Sequence, residues 1–141
     1  MNIQWFPGHM AKTRRQIEEK LKLIDVVVEV LDARIPKSSK NPDILEMTKG
    51  KPRIVVLNKS DLADVVITKS WVEYYKSMGI DACVTDSASG KGVNESVNLI
   101  KKVMAEKISK DKERGMERAI KILVAGVPNS GKSSYINRLS G

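Results

Sequence analysis

Eight residues near the end of the chain, GVPNSGKS from Gly126 to Ser133, restrict what it can fold into more than any other stretch. A glycine, four residues and then Gly-Lys-Ser is the spacing of a phosphate-binding loop. Consecutive backbone N–H groups must wrap a polyphosphate, and Gly126 and Gly131 let the chain turn that tightly with no Cβ in the way. Lys132 is then placed to reach the β- and γ-phosphate oxygens, and the Ser133 hydroxyl to ligate Mg²⁺. Asn129, Ser130, Gly131, Lys132, Ser133 and Ser134 are the expected phosphate-side residues. The flanks agree. IKILVAG, from Ile120 to Gly126, is a β-branched run that reads as a buried strand. SSYINRLSG, from Ser133, reads as a helix start whose dipole favours an anion.

A second stretch, NKSD from Asn58 to Asp61, follows the apolar run RIVVL. A carboxylate at the carboxyl end of a strand can accept two hydrogen bonds from guanine, at N1–H and the 2-amino group. Adenine offers neither, and a site built to pair a donor rejects an analogue lacking it by roughly 10⁴. Asp61 is the expected base reader, with Asn58 bracing the loop and the Lys59 stem lying over the base. Alone the motif is also a plausible solvated turn. Beside a phosphate loop it makes a separate demand of the same ligand, a guanine nucleotide, GTP or GDP.

The remaining apolar runs complete an α/β pattern. Strands are expected at 26–31, 53–57, 80–85 and 119–125, with Glu29 hinting at a partly solvated face. Thr68 is expected to cap a helix carrying Trp71, Tyr74, Tyr75 and Met78 inward. A helix from about Asn94 to Ile108 is expected to present Val97, Ile100, Met104 and Ile108 on one face. Asn41 and Pro42 open another helix, Met10 to Leu23 form a basic one, and the charged run Ser109 to Arg118 reads as a linker. Alternating strands and helices imply a doubly wound parallel sheet covered on both faces. Right-handed crossovers lay the first three strands side by side. Ligands bind where strand order reverses, at the carboxyl ends, and the phosphate loop and Asp32 both fall there.

Net charge matters for partners. At +8 the chain favours an acidic one, nucleic acid ahead of an anionic membrane. The lysines equally suit solvated helix faces. Few aromatics argue against base stacking on single strands. Cys83, the one cysteine, sits in an apolar run as a small core residue. No apolar run is long enough to span a membrane and no signal peptide is visible, so a cytoplasmic location is expected.

NKSD precedes the phosphate loop by more than sixty residues, whereas a Ras-like GTPase has the reverse order. This order, with WFPGHMAKTRR (Trp5 to Arg15), DVVVEVLDARIPKSSKNP (Asp25 to Pro42), NKSD and GVPNSGKSSYINRL (Gly126 to Leu139), resembles the circularly permuted, ribosome-assembly GTPases of the YlqF/RbgA family. The resemblance implies a Ras-like P-loop GTPase fold in permuted order, incomplete at its carboxyl end. It implies GTP hydrolysis in assembly of the large ribosomal subunit, with ribosomal RNA and the subunit precursor as partners. It also places strand 119–125 beside the first strand. Ser87 and Ala88 match the Ser-Ala pair whose second N–H meets guanine O6. His9 matches a histidine that helps position the attacking water. Asn129 matches an asparagine that accompanies potassium stimulation, its oxygen helping to hold K⁺. The family's switch region, DxxG segment and RNA-binding helical domain are not matched in residues 1–141. The 141 residues alone are therefore expected to be inactive. The outer edge of strand 119–125 is expected to be bare, or covered by another chain or the missing strands. Two other readings stay open: a guanine-nucleotide or RNA-binding module that does not hydrolyse GTP, and an ATP-dependent enzyme, against which Asp61 argues.

Overall fold

The computed structural model of the chain describes residues 18–19, 21–36, 46–115, 119–126 and 130–140, and the backbone alone of residues 3–8. Val26–Asp32 forms β2, Arg53–Asn58 β3, Asp81–Val84 β4 and Ile120–Ala125 β5. β2, β3 and β5 are short runs rich in Val, Ile and Leu, the composition of a strand covered on both faces, whereas β4, DACV, is shorter and buries fully only Cys83. All seven residues of β2 are buried. One face joins Val26, Val28, Val30, Ile54, Val56, Ile122 and Val124 to Ile100, Met104 and Tyr135. On the other, Leu31, Val55 and Leu57 pack with Tyr75. Each such side chain contributes roughly 1.5–3 kcal/mol by leaving water.

With Ile3–Gly8 as β1, the sheet is parallel, in the order β1-β5-β2-β3-β4. β2, β3 and β4 lie side by side as the crossover rule requires, and β5 sits on the far side of β2. β1, Ile3–Gly8, was not expected. It runs along the outer edge of β5, Ile3 opposite Ile120 and Gly8 opposite Ala125. The edge of strand 119–125 is therefore not bare: this chain's own first strand covers it. The physical reason is the unpaired ladder of N–H and C=O groups along β5, which any extended segment within reach can satisfy.

Helix α1, Val65–Ser77, starts three residues before Thr68. Asp64 is the cap, its carboxylate accepting from Val66 N and Ile67 N at 2.9 and 3.1 Å. Thr68 lies inside the first turn and donates to Asp64 O. Of the four side chains expected to face inward only Tyr75 is fully buried; Trp71 is half-buried, and Tyr74 and Met78 are about half exposed. Glu29 is buried, not partly solvated. The single helix expected to about Ile108 is two: α2, Val93–Val103, and α3, Ala105–Glu113, broken at Met104. Half of the expected linker is thus helical. It is held because Lys107 Nζ pairs with the buried Asp25 carboxylate, which also accepts from Lys121 N at 2.9 Å. α4, Lys132–Ser140, docks through Tyr135, whose hydroxyl meets Ser96 Oγ of α2 at 2.8 Å with both residues fully buried. Cys83 is in the core, where burial pushes its thiol pKa up to about 12. No described helix is long and apolar enough to cross a membrane. The basic helix expected over Met10–Leu23 and the one opened by Asn41 and Pro42 lie largely outside the described residues.

Candidate functional site

Three segments meet at the carboxyl ends of β3, β4 and β5, and the side chain of Asn58 joins them. Asn58 is the last residue of β3 and is 3% exposed. Its Nδ2 donates to Ser130 O in the phosphate loop at 3.1 Å. Its Oδ1 accepts from Thr85 Oγ1 at 2.9 Å, from Ser87 N at 2.9 Å and from Ser87 Oγ at 2.8 Å. Each polar atom of this buried amide is used, which is the condition for burying it without loss. Asn58 is therefore spent on protein: it braces the site and does not open toward a ligand.

The phosphate loop closes against that brace. Gly131 has φ +89°, and a Cβ on it would stand 2.0 Å from Asn58 Nδ2. A Cβ on Gly126 would stand 2.8 Å from both Val30 O and Ser130 Oγ. Both glycines are needed for close approach, not only for flexibility. Ser130 Oγ is buried with no hydrogen-bond partner among the described residues. Such an orphaned buried hydroxyl beside Gly131 and Lys132 fits a polar ligand atom. Lys132 Nζ curls back to within 3.5 Å of Gly126 O. Burial lowers its pKa, since desolvation disfavours the ammonium. An anion in the loop would reverse that. Ser133 and Ser134 are exposed on the first turn of α4.

At the end of β2 the Asp32 carboxylate is gripped by Arg34, with Nε–H to Oδ1 at 3.0 Å and Nη2–H to Oδ2 at 2.7 Å. Lys59 Nζ stands 3.7 Å from Oδ2. The Arg34 hydrogen bonds hold the Asp32 pKa below the usual carboxylate range against the opposing effect of burial, with Lys59 assisting. Lys59 adopts φ +62°, the left-handed region that is uncommon outside glycine. Its stem passes the phosphate loop, Cε 3.9 Å from the position of a Gly131 Cβ. Asp61 lies in the 3₁₀ turn Ser60–Leu62 and is exposed. Ser60 N–H donates to Thr85 O at 3.1 Å, so this turn is tied to the end of β4.

The structure thus brings together Asn58, Lys59, Ser87, Ser130, Gly131 and Lys132, with Asp61 and Ala88 on turns attached to the cluster. His9 and Asn129 lie outside the described residues. Arg138 was missed. It reaches from α4 to the Ser87 and Ala88 carbonyls. A lone arginine in the last turn of a helix looks like an ordinary complement to the helix dipole, so its sequence carries no signal. Thr85, also missed, completes the Asn58 network from the end of β4.

No protein-family model matches the chain. It is 53% identical to the ribosome biogenesis GTPase A of Priestia megaterium, a match over 99% of this chain and 49% of that protein. It is 40% identical to the mitochondrial ribosome-associated GTPase 1 of Xenopus tropicalis, over 96% of this chain and 43% of that protein. The crystal structure of GNP-bound YlqF from T. maritima superposes with a TM-score of 0.62 at 36% identity, covering 91% of this chain and 47% of the other. The chain spans about half the length of the curated relatives it matches.

Proposed function

Because the chain belongs to the YlqF/RbgA family of circularly permuted GTPases over the part it spans, we propose that the intact protein binds GTP, hydrolyses it and acts in assembly of the large ribosomal subunit. The observation that carries the nucleotide reading is the Asn58 amide, which ties the phosphate loop to the turns bearing Asp61 and Ala88. One rigid joint between a phosphate reader and two base readers suits a ligand with both ends.

In this reading the loop N–H groups from Asn129 to Ser134 and the Lys132 ammonium neutralise the phosphate oxygens, where charge builds during transfer. Asp61 accepts from guanine N1–H and the 2-amino group, the Ala88 N–H donates to O6, and the Lys59 stem covers the base. Ser133, an exposed hydroxyl at the first turn of α4, is of the hard-oxygen type that Mg²⁺ takes. Mg²⁺, when bound, would withdraw charge from the phosphates. His9 is assigned to the attacking water, and Asn129 to K⁺. β1 ends at Gly8 opposite Ala125, so the backbone delivers the chain beside the phosphate loop just before His9.

The test is competition binding of GTP, GDP and ATP to the intact protein, followed by turnover in potassium and in sodium. Guanine selectivity and faster turnover in potassium are expected. Equal ATP binding would overturn the guanine reading, and binding without turnover would leave a nucleotide-responsive module. Equal rates in the two salts would remove the role of Asn129.

Ribosomal RNA is the proposed partner of the opposite pole. At the amino ends of the strands a cleft of about 600 Å³ is lined by Lys22, Lys51, Lys107, Lys110 and Lys121, against Asp25 and Glu106. Five cations less two anions leave a net charge of three. The basic stretches proposed for this role are Lys12, Arg14 and Arg15, which lie outside the described residues, and the Lys107 to Arg118 segment, of which Lys107 and Lys110 line this cleft. Neutralising three phosphates should give log K a slope of roughly −2 to −3 against log salt. Particle binding measured from 50 to 300 mM KCl checks this, and a flat profile would point to protein–protein docking.

A further inference from the structure

We propose that Arg138 is a positioning residue for the base: it orients and polarises the Ala88 N–H that meets guanine O6. The inference rests on the guanine reading above. Arg138 Nε–H donates to Ser87 O at 2.9 Å, and Nη2–H donates to Ala88 O. The first of these bonds decides the matter. Ser87 C=O and Ala88 N–H belong to one peptide unit, which is planar and, like every described peptide here, not cis. In a trans unit the two groups point in opposite directions. Gripping the oxygen therefore aims the N–H away from the guanidinium, and rotation about the unit would break the grip.

The neighbouring unit is fixed as well. Ser87 N–H donates to Asn58 Oδ1 at 2.9 Å. With the Ala88 carbonyl also held, two side chains determine three successive backbone groups of the turn. Gly90, at φ +89°, lets the turn close beside the guanidinium, and even a Cβ there would meet Arg138 Nη1 only at an ordinary contact distance of 3.4 Å. A charged donor on a carbonyl also makes the N–H of the same amide a better donor, as in any chain of linked hydrogen bonds.

The position of Arg138 on α4 adds a second effect. It lies six residues after Lys132, about 9 Å along one rigid helix. The same element that carries the phosphate-binding lysine thus holds the O6 donor, and the separation of the two readouts is set by helix geometry. Asn58 makes the same connection through the loop backbone; Arg138 makes it through a helix.

The experiment compares GDP with 6-thio-GDP, whose thiocarbonyl is a poor acceptor at position 6, on the intact protein and on Arg138→Met and Arg138→Lys. GDP affinity of Arg138→Met should fall about tenfold, the value of one well-placed hydrogen bond to a polarised donor. The 6-thio-GDP affinity should fall much less, so the preference for GDP over its thio analogue shrinks. Arg138→Lys, able to keep one carbonyl, should fall in between. A variant that merely loosens the fold would weaken both nucleotides equally, and that result overturns the inference, as does an unchanged ratio. If Arg138→Met fails to fold, Arg138→Lys carries the same comparison. A wild-type protein that binds ADP as well as GDP would instead defeat the guanine reading itself.

Discussion

Gly131→Ala should abolish nucleotide binding and destabilise the fold by about 3 kcal/mol. Two effects add. An alanine held at φ +89° costs roughly 1–3 kcal/mol in backbone strain. Its Cβ would also stand 2.0 Å from Asn58 Nδ2, and the amide cannot simply swing aside. Asn58 is held by Thr85, by both donors of Ser87 and by Ser130 O. Moving it leaves buried donors and acceptors unpaired at about 1–3 kcal/mol each. The phosphate loop would have to lift off the brace, so GDP affinity should drop by more than about a hundredfold. Chemical denaturation with and without GDP measures both effects. A wild-type midpoint with wild-type GDP affinity would mean that Asn58 does not fix the loop.

The second large effect is a change of base. Asp61→Asn should weaken GTP on the order of 10⁴ and leave xanthine nucleotides preferred. Xanthine carries an oxygen where guanine carries the 2-amino group. An asparagine can accept from N1–H with its oxygen and donate to that oxygen with its nitrogen, so one polarity is reversed and the pair is restored. The exposed 3₁₀ turn that holds Asp61 is anchored by Ser60 N–H on Thr85 O, which the substitution does not touch. Stability should therefore be unchanged. Competition of XTP against GTP reads the result, and full GTP preference in the variant would remove Asp61 from base recognition.

β2, β3, β4 and β5 were legible because each is a short, mainly apolar run, broken only by single charged residues such as Glu29 and Lys121, which suits a buried strand better than a solvated helix. β1 was not legible. Its IQWFPG contains a proline, which has no N–H to donate, and a glycine, and such a pair reads as a loop. At a sheet edge a missing donor is tolerated, and only the tertiary partner reveals that an edge is there to be taken. α1 was misjudged at its start because Val65, Val66 and Ile67 are 56–73% exposed, so hydrophobicity misled where the Asp64 cap was informative. The site divides in the same way. Asn58, Gly126 and Gly131 belong to short motifs whose spacing carries their geometry. Arg138 and Thr85 act through contacts between residues 51 and 27 positions apart, which no local pattern encodes.

The pairing of β1 with β5 has a consequence for the ribosome that makes this protein. Ile3 meets Ile120, so 117 residues must be synthesised before that contact can form. At roughly 5–20 residues per second, β1 waits on the order of ten seconds after it leaves the exit tunnel. β2, β3 and β4 follow one another in the chain and can join meanwhile, with shorter loops to close. β5 then docks against β2 and brings the phosphate loop to Asn58. The strand made ahead of all the others is placed no earlier than the last. During that interval an extended, unpaired segment travels with a growing chain, and early exposure of β5 without it would leave an adhesive edge. Nucleotide bound as proposed would need the loop that follows β5, so it could stabilise the protein only when nearly all of these residues have emerged.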